Sequence, residues 1–319
     1  MLVRKFLEGN SSLTRSLVCS TFRLARSSYY AMLKSEVRRG RLDRQIWKAV
    51  CKVWEKFPGI GYRKLSKYLG RNKKQIQRIL QKFRGKRERP RLCKATKRLN
   101  ILKEVVSVLS ESPEKLARGN WILKEGKNGY RKLVEPVRPY QLWTEDWKEI
   151  KVPVLNIVIY VFVIVDVYTR QLMGYHISLL KDSGSALVAS RSAVEKARCD
   201  DLFNPRRLIL HRDNGSAYIS EENESFWRGQ EVKLSYADPG KPTQNPYSEA
   251  FISLYVRFWL NHFEIESASQ LRELLTDFFG RYNGEWKHSG IGYLTPDEKL
   301  QEYHDHISKP ANICPKQGS

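Results

Sequence analysis

The chain has 319 residues and a formal net charge of +23, from 57 Lys and Arg against 34 Asp and Glu. With 41% hydrophobic residues, 8 Trp, 16 Tyr and 12 Phe it can fill real cores, which excludes a mainly disordered chain and suits two or three domains. The longest apolar run, residues 157–165, is too short for a bilayer, and residues 1–30 hold no continuous apolar stretch of the secretory kind.

Cys19, Cys51, Cys93, Cys199 and Cys314 are odd in number and form no C-x-x-C pairs, which argues against a disulfide framework or a zinc ribbon. A cytoplasmic protein without a membrane partner is the reading. The charge is uneven: residues 1–100 carry 29 basic and 5 acidic side chains, residues 101–319 carry 28 and 29. The excess therefore sits wholly in the first third and points to a polyanion, most simply nucleic acid.

Residues 13–34 read as two short helices. Leu13, Leu17, Val18 and Phe22 have helical spacing, and Ser27 or Ser28 can N-cap a second helix with Tyr29, Tyr30, Met32 and Leu33. Further on, Ile46, Val50, Val53, Trp54 and Phe57 form an apolar stripe that Pro58-Gly59-Ile60-Gly61 ends. A helix over Tyr62–Leu69, a turn at Gly70-Arg71-Asn72 and a helix over Lys73–Phe83 follow. The last buries Ile76, Ile79, Leu80 and Phe83 and carries Lys73, Lys74, Gln75, Arg78 and Lys82 opposite. Two helices across a short Gly turn, the second studded with Lys, Arg and Gln, fit a helix-turn-helix with a recognition helix. An ordinary bundle with a solvated basic face has the same pattern. No His precedes His176, so a His/Cys zinc site is excluded there.

Residues 84–99 read as a basic linker that tracks phosphates. Ile101–Leu109 looks helical, and Gly119–Val134 is mixed. After Pro139 strands alternate with helices: strands at Tyr140–Ile150, Ile157–Asp166 and Leu172–Ser178, a helix at Ser183–Arg198, a strand at Arg207–His211, a helix at Ser220–Arg228, a strand at Val232–Tyr236, and helices at Tyr247–Phe263 and Ala268–Tyr282, followed by an aromatic- and His-containing tail. Three antiparallel strands followed by alternating helix and strand give a mixed α/β sheet.

Three acids stand where such a fold keeps a site. Asp146 lies in the first strand, Asp213 follows a buried strand, and Glu249 opens a helix after a loop rich in Pro, Gly and Asn. Taken singly, turn chemistry explains Asp213 and the helix dipole explains Glu249. Together they suit phosphodiester chemistry, in which two Mg2+ ions about 4 Å apart serve the attacking and leaving oxygens and carboxylates supply the hard ligands. Trp227, Phe251, Tyr255, Phe258 and Trp259 read as core, while Lys241, Arg257, Lys287 and His288 are open to DNA contact or plain solvation.

Thirty-five residues separate Asp213 from Glu249. This spacing resembles the D,D-35-E pattern of retroviral-type integrases and insertion-sequence transposases. The segments Val165–Tyr175, His211–Tyr218 and Arg26–Tyr30, with Tyr282-Asn283, His288-Ser289 and Gly292–Pro296, are similar to those of OrfB-type transposases of the IS-three group. The resemblance covers nearly the whole chain. It implies an RNase H-like α/β catalytic core behind an all-α helix-turn-helix region, with a triad of Asp146, Asp213 and Glu249 that also ligates Mg2+, or Mn2+ as the alternative, in a two-metal site. Asp166 takes a strand-end place outside the triad. The Thr-Glu-Asp-Trp context of Asp146 and the Gly240–Glu249 stretch depart from the usual pattern.

The implied activity is cleavage of transposon-end DNA followed by strand transfer of the 3′-OH into target DNA. Partners would be double-stranded DNA, further copies of the chain on that DNA, and a fusion partner from an upstream reading frame, all at the nucleoid. The expected organisation is residues 1–85 for DNA binding, 86–138 as linker and irregular segment, 139–266 as catalytic core and 267–319 as C-terminal helix and extension. A DNA-binding protein with silent acids and an RNase H-like nuclease with another nucleic-acid substrate are the competing readings.

Overall fold

The computed structural model describes residues 15–21, 23–83, 123–125, 131–133, 135–152, 157–213, 218, 220–237 and 245–308. The linker at 84–99, the helix expected at Ile101–Leu109, most of 119–134, Lys241 and the last eleven residues lie outside them. The chain divides into two compact units, Met1–Arg89 and Pro90–Ser319. Among the described residues no helix is long and apolar enough to cross a membrane.

In the first unit, α1 (Arg15–Thr21) is followed by α2 (Arg26–Lys56), α3 (Tyr62–Tyr68) and α4 (Lys73–Phe83). The expected short helix around Tyr29–Leu33 and the stripe from Ile46 are one helix of 31 residues. Nothing between them breaks it: Gly40 is the weakest helix former there, at a cost of about 1 kcal/mol, and Tyr29 at one end and Ile46 and Val50 at the other are buried. The helix starts at Arg26 with Ala25 as N-cap, so neither Ser27 nor Ser28 caps it. Gly70, at φ 58°, takes the left-handed conformation that ends α3, and Asn72 Oδ1 accepts from the Lys74 N–H at 2.8 Å to start α4. Trp47 stacks on Phe83 with ring centroids 5.4 Å apart, joining α2 to α4.

The second unit holds a small antiparallel pair, β1 (Leu123–Glu125) with β2 (Arg131–Leu133), and a five-stranded sheet. The sheet strands are β3 (Leu142–Val152), β4 (Ile157–Asp166), β5 (Leu172–Ser178), β6 (Ile209–Arg212) and β7 (Lys233–Tyr236), in spatial order β5-β4-β3-β6-β7. β3, β4 and β5 form an antiparallel meander, and β6 runs parallel to both β3 and β7. This is the mixed α/β sheet expected from the sequence. β4 is apolar almost throughout because both its faces are covered.

Helices α5 (Ser183–Ala197) and α6 (Glu221–Gly229) cover one face, where Trp143, Ile164, Met173, Ala193, Val194, Leu210 and Trp227 form the main core. At Gly174 an added Cβ would meet the Ala189 carbonyl oxygen at 2.3 Å, so only glycine lets α5 approach β5 this closely. The other face carries α7 (Pro246–Phe258), whose Tyr247 packs with Leu142 and Val167. The helix expected to reach Phe263 ends at Phe258, and a 3-10 turn at Leu260–His262 follows.

α8 (Ala268–Glu285) packs Phe279 and Tyr282 against Phe251 of α7, with centroids 5.7 and 4.7 Å away. The Tyr-Asn motif at its end serves as a clamp. Asn283 Oδ1 accepts from the Leu172 N–H at 2.8 Å while its Nδ2 donates to the Leu172 carbonyl at 2.9 Å, and Tyr282 Oη donates to the Arg170 carbonyl at 3.0 Å. A last helix, α9 (Pro296–Ser308), occupies the segment read as a tail. Its signal is a capping box at Thr295–Glu298: the Glu298 N–H donates to Thr295 Oγ1 at 3.1 Å and the Thr295 N–H to Glu298 Oε2 at 2.7 Å.

Candidate active site

The two neighbouring acids of β3 face opposite ways, as strand period requires. Glu145 points to the α5–α6 face, where it is buried and accepts from Arg212 Nη1 at 2.9 Å. Asp146 points to the α7 face, half-buried, with Oδ1 accepting from the Trp147 N–H at 2.8 Å. The pairing that joins Leu142 to Ile209 and Thr144 to His211, carried onward, sets Asp146 beside Asp213. Burial, with the charges of Asp213 and Glu249, lifts the Asp146 carboxyl to about 8, against the pull of the Trp147 N–H and Lys148. Burial also lifts Glu249 to about 7, again opposed by Lys148. The fold thus brings Asp213 and Glu249 each within reach of the Asp146 charge.

α7 is seated so that Glu249 can join this group. Asn245, buried just ahead of the helix, donates from Nδ2 to the Glu145 carbonyl at 2.7 Å and accepts at Oδ1 from Ser248 Oγ at 2.7 Å. The residue that starts the glutamate's helix is thereby bonded to the backbone immediately before Asp146. Neither Asn245 nor Arg212 is singled out by the sequence, since Asn245 lies in a loop rich in turn residues and Arg212 simply closes the buried run ahead of Asp213. Among the described residues no group of three or more His, Cys, Asp or Glu is close enough in this conformation to hold a metal ion.

Asp166 has a different character. It is fully buried and accepts from the N–H groups of Tyr140, Tyr168 and Thr169, from Trp143 Nε1 and from Thr169 Oγ1, at 2.8 to 3.1 Å. Five donors saturate both oxygens, so this acid organises the turn after β4.

On α4, Lys73 and Lys74 are exposed and Gln75 half-buried. Arg78 and Lys82 are both tied to buried Asp43 of α2. Arg78 donates at 3.0 and 2.6 Å and Lys82 at 2.9 Å, and the hydrogen-bonded Arg78 guanidinium in particular holds the Asp43 carboxyl below its usual range. Their side chains are about half exposed, at 46% and 49%. In the second unit Lys287 pairs with Glu298 at 3.4 Å, and His288 Nε2 lies 2.6 Å from Tyr282 Oη.

Two family models described as integrase core domain match the chain, over residues 136–242 and 230–296. The transposase for insertion sequence element IS904 of Lactococcus lactis subsp. lactis (strain IL1403) is 28% identical over 173 residues, 54% of this chain and 65% of that protein. An uncharacterized 31.7 kDa protein of insertion element IS407 from Burkholderia multivorans is 26% identical over 149 residues, 46% of this chain and 51% of its own length. The matched region thus spans between half and two thirds of these relatives. Among solved structures, the HTLV-2 integrase catalytic core domain in complex with magnesium aligns with a TM-score of 0.40 and 16% identity, over 51% of this chain and 98% of that one. The simian T-cell lymphotropic virus intasome in complex with PP2A regulatory subunit B56 gamma aligns with a TM-score of 0.43 and 15% identity, over 79% and 72%.

Proposed function

With an integrase core domain across residues 136–296 as the premise, we propose that the chain is a DNA transposase of the DDE type. It is a polynucleotidyl transferase that nicks the ends of its element and joins the freed 3′-OH to target DNA. Asp146, Asp213 and Glu249 are its acids. What supports this reading is that the charges of Asp213 and Glu249 both act on Asp146, whose carboxyl they and burial push up to about 8, while burial pushes Glu249 up to about 7. Carboxyls so raised are what a bound cation relieves.

The donor set fits a hard divalent ion, Mg2+ or alternatively Mn2+, because it is all oxygen and anionic. Asp146, Asp213 and Glu249 would hold such ions in a two-metal site, which would supply Lewis-acid stabilisation of the charged phosphorus centre. The chain's own residues aim the carboxylates: Asp146 from β3, Asp213 from just past the adjacent β6, Glu249 from a helix fastened through Asn245 to β3.

On this reading residues 1–85 bind DNA, with α3 and α4 as a helix-turn-helix and Lys73, Lys74, Gln75, Arg78 and Lys82 on its DNA face. Residues 86–138 link it to the catalytic core at 139–266, and 267–319 form the C-terminal helix and extension. The chain works as a multimer on transposon ends and target DNA at the nucleoid, with an upstream-frame product as its fusion partner.

The test is a labelled duplex bearing the element's terminal inverted repeat, given to the full chain with Mg2+. Wild type is expected to nick it, while Asp213→Asn and Glu249→Gln bind it uncut. Binding without cutting by all three hands the function to a DNA-binding protein with silent acids. Equal cutting by all three moves the site elsewhere.

A further inference from the structure

Asp146 within β3 and Asp213 just after β6 are each preceded by a charged residue, and these two residues meet. Glu145 precedes Asp146, Arg212 precedes Asp213, and both Glu145 and Arg212 are buried, with 1% and 0% of their side chains exposed. Arg212 Nη1 donates to Glu145 Oε1 at 2.9 Å and to Asn223 Oδ1 at 2.6 Å, and Nη2 donates to Tyr236 Oη at 3.0 Å. Tyr236 in turn donates to Glu224 Oε1 at 2.7 Å, so α6 and β7 both brace the guanidinium.

The location is specific. The backbone ladder between β3 and β6 ends at Thr144 and His211, one residue before the pair. From there, the side-chain bridge couples the two strands where their acids begin. A buried ion pair is a poor device for stability alone, since an apolar pair of similar volume often serves as well or better. What the pair adds is direction, because a charged hydrogen bond between fixed groups tolerates little slip.

We propose that Glu145 and Arg212 are positioning residues: a strut behind the sheet that sets the spacing and register of Asp146 and Asp213, and so aims both carboxylates at one divalent cation. This rests on the site assignment above. Neither residue touches the reacting atoms.

The test uses the full chain and Mn2+ alone, with affinity read by electron paramagnetic resonance of free Mn2+ and Tm by calorimetry. Asp213→Asn is the control, and Glu145→Met with Arg212→Met replaces the strut by an apolar pair. The double variant is expected to melt within about 5 °C of wild type and to bind Mn2+ about tenfold or more weakly, as loss of groups that orient ligands does. Unchanged Mn2+ affinity in the double variant, with loss in Asp213→Asn, overturns the strut and leaves the site standing. Equal binding by wild type and Asp213→Asn overturns the site and the strut with it. If the double variant does not fold, Glu145→Gln and Tyr236→Phe take its place. Weaker Mn2+ binding in either at near-native Tm supports the strut, and native affinity in both overturns it.

Discussion

The two units handle buried charge in opposite ways. In the helical unit one buried acid, Asp43, is shared by two cations, Arg78 and Lys82, within a segment rich in positive charge. In the sheet unit acids crowd together, and Lys148 is the cation that opposes the rise of Asp146 and Glu249. An acid met by cations near solvent is held low, whereas burial pushes an acid up unless partners outweigh it. Within β3 burial raises both neighbouring acids, but Arg212 opposes the rise at Glu145 while Asp146, one residue on, faces the charges of Asp213 and Glu249.

The largest effect should come from breaking the unbalanced side. Asp213→Asn or Glu249→Gln should lower metal-dependent nicking about a thousandfold, the scale of the several kcal/mol that metal stabilisation of charge supplies, with DNA binding retained in a gel-shift assay. Gly174→Ala should be the costliest change that leaves charge alone. With its Cβ 2.3 Å from the Ala189 carbonyl oxygen, overpacking should cost about 3 kcal/mol in urea unfolding.

On the satisfied side, Arg78→Met together with Lys82→Met leaves Asp43 buried and unpaired. The loss should be about 2–3 kcal/mol, below the usual range for a broken buried pair because both cations are half exposed. The pH responses should run in opposite directions. Asp43 is held below its unfolded value, so its contribution is present above the unfolded pKa of 3.8 and is lost as pH falls through the folded one. Asp146 is raised from 3.8 to about 8, so in metal-free protein its contribution turns unfavourable as pH climbs between those values. Asp146→Asn should therefore raise the metal-free Tm at pH 8 by about 3 °C, on the order of 1 kcal/mol, and a divalent cation should remove the difference. The smallest effect is at α4: Lys73→Ala or Lys74→Ala should each lower the slope of log affinity against log salt by about 1 without moving Tm.

Much of the architecture was legible from residue pattern. The β-branched run of β4, the turn after Asp166, the helix at Ser183 with its alanine face and the helix at Ser220 are local signals, and the structure forms those elements within a residue or two. The misses have local causes as well. α2 runs through a polar stretch because no Pro interrupts it, and α9 starts at a capping box whose Thr-Pro-Asp-Glu sequence was passed over as tail.

What the sequence determined by itself is periodicity, caps and the spacing of three acids along the chain, since these depend on neighbours a few residues away. Which of two adjacent acids meets Asp213 and Glu249 was decided only in three dimensions. Strand period puts Glu145 and Asp146 on opposite faces, but the packed helices determine what each face meets: an arginine braced by α6 and β7 on one side, the N-terminal turn of α7 on the other. Likewise, helical spacing set Arg78 and Lys82 on one face of α4, and only the packing of α2 against that helix supplied the buried aspartate they share.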